Sequence, residues 1–148
     1  LREMAGAVTV RVARLDDAAE IARLAGQLGY ATNTEEMHRR LGVLISHSDH
    51  RISVAEDAAA LLGWVAVERR RTLESGERIE IVGLVVDERA RGTGVGRMLV
   101  VDAEQWAREC GFDTLCVRSN IAREDSHPFY QHLGYVRRKT QHYYIKRL

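Results

Sequence analysis

The sequence predicts an α/β (α+β) chain built on a mixed, mostly antiparallel central sheet with about four flanking helices. Three observations carry that prediction. Segments with apolar residues at every second position are interspersed with segments whose apolar residues recur at intervals of three and four, the periods of strand and helix. Glycines and short polar runs punctuate these segments, and no repeat, low-complexity tract or linker separates them. The chain has 148 residues, 45% hydrophobic and 29% charged, which suits one globular domain over residues 1–148.

The elements follow in order. VTVRVAR (8–14) alternates apolar and polar residues and reads as a strand. In LDDAAEIARLAGQLG (15–29), Asp17 and Glu20 have capping-box spacing, Ile21, Leu24, Ala25 and Leu28 share a helix face, and Gly29 ends the helix. A second helix is predicted over Thr34–Ile45, with Met37, Leu41 and Leu44 inward and Asn33 or Thr34 as its cap. RISVAED (51–57) and LLGWVAVERRR (61–71) read as antiparallel strands, and LESGE (73–77) as a turn. ERIEIVGLVVD (77–87) is a strand containing Gly83, and glycine inside a strand marks a bulge or a close backbone approach.

The glycine-rich stretch RARGTGVGRM (89–98) opens a helix with Val95, Leu99, Ala103, Trp106 and Cys110 inward and Gly111 after its end. DTLCVRS (113–119) reads as a buried strand. Ser126 caps a short helix with Pro128 in its first turn, ending at Gly134. YVRRKTQHYYIKRL (135–148) reads as a closing strand, giving the order β-α-α-β-β-β-α-β-α-β.

Composition excludes several functions. Net charge is +1, from 22 Lys and Arg against 21 Asp and Glu, so no global field favours nucleic acid or an anionic membrane. The run Arg69–Arg71 reads as a solvated strand end. A nucleic-acid reading through it and Arg137, Arg138 and Lys139 is opposed by that balance and by 6% aromatic content. No apolar run approaches a membrane span, and the first residues lack the apolar core of a signal peptide, so a cytoplasmic protein is expected, with Met4 a candidate start. Cys110 and Cys116 form no metal or redox spacing and read as reduced thiols. The pairs His47 and His50, and His127 and His132, lack the i, i+4 spacing of a helical zinc site, so no metal is expected.

Three templates compete for Gly92, Gly94 and Gly96. GxGxxG fails because position 97 is arginine, and GxxxxGK[ST] fails because no Gly-Lys pair exists. A strand followed by Arg-x-x-Gly-x-Gly and a helix start fits from Arg91 to Gly96. Glycines expose consecutive backbone N–H groups, and free N–H groups at a helix start bind phosphate. Arg91 and Arg97 add charge-assisted bonds to a diphosphate.

These residues resemble the GNAT acyltransferase superfamily, whose members use acetyl-CoA. The resemblance covers nearly the whole chain. It is strongest in LVVDERARGTGVGRMLV (84–100) and in SNIAREDSHPFYQHLGY (119–135). It implies acetyl-CoA as co-substrate and a sheet splayed where the cofactor inserts. By that resemblance, Arg91, Gly92, Thr93, Gly94, Val95, Gly96 and Arg97 hold the diphosphate. Backbone groups at Leu84, Val85 and Val86 bond the pantetheine amides, near the Gly83–Val85 carbonyl contact. Asn120 bonds the same arm, and Ser126 and Phe129 complete the cofactor set, with core packing the other reading of Phe129.

The family's reaction transfers acetyl to an amine. An alkyl ammonium has pKa about 10.4, so deprotonation at pH 7 costs about 4.6 kcal/mol. The site needs a proton acceptor, a donor to the carbonyl oxygen and an acid for the thiolate. Glu80, on the strand entering the glycine loop, is the candidate base and also faces the acceptor. Alternation would put it on one face with Val82, and Ile81 on the other. Glu68 and Glu77 are weaker alternatives. Tyr130 is the candidate acid, since a phenol near 10 suits a thiolate near 8.5. Acceptor pockets in this family lie about the first two helices and their loop, here LGYATNTEEM (28–37). Tyr30, Glu35 and Glu36 would suit a cationic amine, although first-turn carboxylates also serve the helix dipole. The expected partner is a small-molecule amine, with no nucleic acid and no membrane, and a homodimer is an open possibility. Protein amines as acceptors and a non-catalytic CoA sensor are the alternatives. The structural expectations are a helix starting within two residues of Gly94, strands splaying near Val85 and Val117, and Tyr130 close to the sulfur.

Overall fold

The computed structural model describes residues 6–119 and 126–148. The chain divides into two compact units, Leu1–Val117 and Arg118–Leu148. In the first, β1 (Thr9–Val12) passes through a 3-10 turn into α1 (Ala18–Gln27) and α2 (Thr34–Ile45). Then come β2 (His50–Glu56), β3 (Leu61–Thr72) and β4 (Gly76–Val86), a second 3-10 turn (Glu88–Ala90), α3 (Val95–Glu109) and β5 (Cys116–Val117). The second unit contains α4 (Ser126–His132). The five strands lie in sequence order, antiparallel from β1 to β4 and parallel between β4 and β5. This is the mixed, mostly antiparallel sheet that the periodicities predict.

Two helical layers cover the sheet. Ile21 and Leu24 of α1 and Leu41 of α2 pack with Ile52, Val54, Leu61 and Val85, with Met37 and Leu44 partly buried against them. Ser53, between Ile52 and Val54, instead donates to Asp102 of α3 (2.6 Å). Side chains alternate across a strand, so α3 lies on the face opposite α1 and α2. Leu99, Val100 and Ala103 line its buried stripe. Each fully buried leucine in such a core stabilises the fold by about 2 kcal/mol.

Helix starts differ from expectation in an instructive way. Asn33 caps α2 as predicted, its Oδ1 accepting from the Glu36 N–H (2.8 Å). The Asp17–Glu20 capping box does not form. Asp17 is held by Arg11, at 2.8 and 2.9 Å, and accepts from the Arg14 N–H at 2.7 Å, while Glu20 pairs with Arg23. A bidentate guanidinium from the neighbouring strand outcompetes a local backbone donor for the carboxylate.

Two strand expectations are corrected. The segment 113–119 forms a strand only at Cys116–Val117, and Cys116 is exposed rather than buried. The closing strand over 135–148 is not formed: these residues lie in no ladder, and Tyr143 and Tyr144 are exposed. Alternation is a local property, whereas a strand needs a partner edge for its backbone groups. Within the second unit, α4 ends as expected at Gly134, whose φ of 93° is left-handed, and the rings of Phe129, Tyr130 and Tyr135 pack edge to face.

Candidate functional site

The centre of interest is the C-terminal half of β4 and the loop after it. Opposite β3, Ile81 faces Val67 and Gly83 faces Ala66, so Val82 is an extra residue and the ladder bulges there. Alternation breaks with it: Glu80 and Ile81 are both buried, while Val82 is half exposed. On the other edge, β5 pairs only with Glu80 and Ile81. Among the described residues, β4 therefore has no strand partner on that side from Val82 to Val86, and the β4–β5 ladder ends where the bulge begins. Leu84, Val85 and Val86, the expected pantetheine contacts, lie in this stretch. Gly83 is not the bulged residue. A β-carbon there would stand 2.9 Å from the Trp64 ring, whose indole N–H donates to the Ile21 carbonyl of α1 (3.2 Å).

The loop is set by a chain of hydrogen bonds. The Asp87 N–H donates to Leu62 O (2.7 Å), its Oδ1 accepts from the Arg89 N–H (3.1 Å), and its carbonyl accepts from Ala90 N–H (2.8 Å). Thr93 Oγ1 then donates to the carbonyl of the buried Ala90. Burial would raise the Asp87 carboxyl, but the Arg89 N–H and the Arg23 guanidinium outweigh it and hold the group below the usual carboxylate range.

Gly92 and Gly94 have φ of 78° and 91°, and a β-carbon on either would meet nothing within 4 Å. They are glycines for their left-handed backbone, and the space beside them is open. Helix α3 starts at Val95 with Gly94 as its N-cap, as the spacing predicts. Among the described residues no side chain caps that end, and its first turn holds no acid. Arg91 and Arg97 are exposed beside it, and Val95 and Gly96 are buried. By contrast, α2 begins with an asparagine cap followed by Glu35 and Glu36, the arrangement a helix dipole favours.

Glu80 is buried rather than solvated. Its Oε2 accepts from Arg70 Nη1 (3.0 Å) and its Oε1 from Arg78 Nε (3.3 Å). Glu68 stands opposite Glu80 and also pairs with Arg70 (3.3 Å), while Glu77 pairs with Arg69 and Arg71. All three candidate bases thus sit in ion pairs with arginines of β3. At the acceptor segment, Tyr30 and Glu35 are exposed. Glu36 bonds Arg39 and Arg40 one turn on, which lowers its carboxyl to about 2. Asn33, Glu35, Glu36, His38 and Arg39 line an open cavity of ≈ 450 Å³.

Tyr130 and Phe129 lie on α4, in the second unit. Asn120 and the side chain of Ser126 fall outside the described residues. Among the described residues, no group of three His, Cys, Asp or Glu side chains gathers as a metal site, and no helix is long and apolar enough to cross a membrane.

Sequence reasoning missed Arg23, Gln27 and Asp87. Arg23 Nη1 meets Asp87 Oδ2 at 3.1 Å, and Gln27 Oε1 accepts from the Glu88 N–H at 2.9 Å. Their only sequence signal is the i, i+4 spacing of two polar residues on α1, which says nothing of a partner more than 60 positions away.

Comparison with known proteins completes the picture. A family model described as "Acetyltransferase (GNAT) family" matches residues 15–135. "Uncharacterized N-acetyltransferase YhdJ" of Bacillus subtilis (strain 168) is 26% identical over 112 residues, covering 76% of this chain and 79% of that protein. The aminoglycoside N-acetyltransferase AAC(6')-Iy in complex with CoA superposes with a TM-score of 0.86 at 16% identity, over 99% of this chain and 98% of that one. A structure described as a transcriptional regulator from Bacillus halodurans C-125 superposes with a TM-score of 0.79 at 24% identity, over 96% and 99%. At such identities the two structures establish a shared fold.

Proposed function

The chain belongs to the GNAT acetyltransferase family and is an N-acetyltransferase, and we propose that it moves acetyl from acetyl-CoA to a primary amine of a small molecule. The observation that carries the cofactor assignment is the start of α3. Two left-handed glycines with open space beside them lead into a helix end that, among the described residues, has no side-chain cap and no acid in its first turn, flanked by Arg91 and Arg97. Free N–H groups, the positive dipole end and two guanidiniums suit a diphosphate. The family match across residues 15–135 supports treating both units as one domain over 1–148.

Bound acetyl-CoA supplies the activated acyl group and a thiolate leaving group. The chain supplies the rest. Residues 91–97 anchor the diphosphate. The β4 edge that faces β5, which has no strand partner from Leu84 to Val86 among the described residues, offers backbone groups to the pantetheine amides and to the reacting carbonyl. Asn120, Ser126 and Phe129 complete the cofactor contacts. Tyr130 protonates the departing sulfur, and Glu80 accepts the amine proton through water. Tyr30 and Glu35 receive a cationic acceptor. Glu36 is neutralised by Arg39 and Arg40 and leaves Glu35 as the acidic group of that turn.

The test is thiol release from acetyl-CoA against a panel of amines. Wild type is expected to release thiol only with amine present. Tyr130→Phe is expected to lower kcat about 100-fold, the scale of a lost general acid. Glu80→Gln is expected to lower kcat mainly at low pH, and its melting temperature must be read beside it, because the change takes a buried charged partner from Arg78 and leaves Arg70 with Glu68 alone. A second reading, a CoA sensor without turnover, draws on the two arginines that occupy the Glu80 carboxylate. CoA binding without release for any amine would favour it.

A further inference from the structure

The phosphate loop is fastened at its base to a helix on the acceptor side of the fold. Asp87 is almost fully buried, its side chain 3% exposed, at the corner where β4 ends. Arg23 reaches it from α1 at 3.1 Å, and the same guanidinium bonds Glu20 (2.8 Å) and the Leu61 carbonyl (3.4 Å). One turn further along α1, Gln27 Oε1 accepts from the Glu88 N–H at 2.9 Å. Both contacts land on consecutive residues, and those residues start the turn that ends in the Thr93–Ala90 bond and the left-handed Gly94. From Gln27, α1 runs directly into Leu28, Gly29 and Tyr30, the segment assigned to the acceptor.

We propose that Arg23 and Gln27 are positioning residues that clasp the Asp87–Glu88 corner to α1, fixing the phosphate loop for CoA and coupling it to the acceptor segment at residues 28–37. The proposal rests on the reading of residues 91–97 as the CoA diphosphate site. An arginine shared by two carboxylates and a carbonyl fixes direction as well as distance, since its donors lie in one rigid plane. A loop held in its bound geometry loses less freedom when the ligand arrives, so a preset loop binds more tightly than a loose one. The clasp touches the loop on one side and α1 on the other, and by linkage any coupling that it carries between CoA and acceptor acts equally in both directions.

The experiment uses the full chain with Arg23→Met, Arg23→Lys and Gln27→Met. CoA affinity is read by titration calorimetry, and loop order by hydrogen exchange of the ligand-free protein. Arg23→Met is expected to raise the CoA Kd about tenfold and to speed amide exchange across 88–94 by a similar factor. Arg23→Lys, which keeps the charge but not the planar fork, falls between it and wild type. Gln27→Met, a milder change at an exposed contact, raises Kd about threefold. In steady state, KM for acetyl-CoA rises with Kd while kcat at saturation stays within twofold. Variants that melt earlier but bind CoA within twofold of wild type, with unchanged exchange over 88–94, would show a merely structural contact and overturn the proposal alone. Failure of wild type to bind CoA would overturn the cofactor reading and the clasp's role with it.

Discussion

At Gly83 a β-carbon would strike the Trp64 ring at 2.9 Å, whereas at Gly94 it would meet nothing, yet Gly94 holds a φ of 91°. The two glycines therefore fail differently when replaced by alanine. Gly83→Ala forces the Trp64 indole away from β4 and strains its bond to Ile21, at a cost of about 1–3 kcal/mol. Gly94→Ala costs about 1 kcal/mol through backbone strain, and it also misaims the first N–H groups of α3. Urea denaturation and CoA calorimetry separate the two: the first variant loses stability more than affinity, the second affinity more than stability. The sequence marks both positions as glycine but does not distinguish them. Gly94 is legible because its spacing to Arg91 and Gly96 is a pattern along the chain, while the reason for Gly83 lies in a ring on another strand.

Strand β1 and helix α1 meet through one carboxylate. Arg11 holds Asp17 with two bonds and Glu56 with two more, at 2.8 to 3.1 Å. The Arg11 bonds, assisted by the Arg14 N–H against the opposing effect of burial, lower the Asp17 carboxyl below its ordinary 3.8. A carboxyl depressed in the folded state contributes stability that is present above its unfolded pKa and is lost as pH falls through the folded value. The melting temperature is thus expected to fall below about pH 4, and Asp17→Asn to be less stable at pH 7 by about 2 kcal/mol with a flatter acid limb. Thermal melts between about pH 2.5 and 7 check this. Glu56 and Asp87 are lowered in the same direction, so part of the acid limb survives in the variant. Such networks also explain the missing capping box: the local pattern at Asp17 and Glu20 was readable, but Arg11 is brought to Asp17 only by the β1–α1 connection.

For the molecule as a whole, a ligand that binds only the folded state stabilises it by mass action. CoA at about 100 times its Kd is expected to add about 2.7 kcal/mol, a rise in melting temperature of roughly 8 °C for a chain of this size. A scanning fluorimetry series over CoA concentration checks it, and an unchanged melting temperature at saturating CoA would count against residues 91–97 as the cofactor site. The order of elements from β1 to α3, the Thr34–Ile45 helix and its Asn33 cap, and the start of α3 at Gly94 were all determined by the sequence itself. Each depends on residues within a few positions of one another, where periodicity, capping chemistry and glycine spacing act directly. Only the tertiary structure decided that Val82 rather than Gly83 bulges, that Glu80 is buried between Arg70 and Arg78, that β5 shrinks to two residues, and that Arg23 and Gln27 of α1 meet Asp87 and Glu88. These depend on which strand edges and side chains the fold brings together, from Arg70 and Glu80 across one hairpin to Arg23 and Asp87, 64 positions apart. Pairing energy is not written in any local pattern, so alternation alone could suggest a closing strand over 135–148 but could not supply the edge it needed.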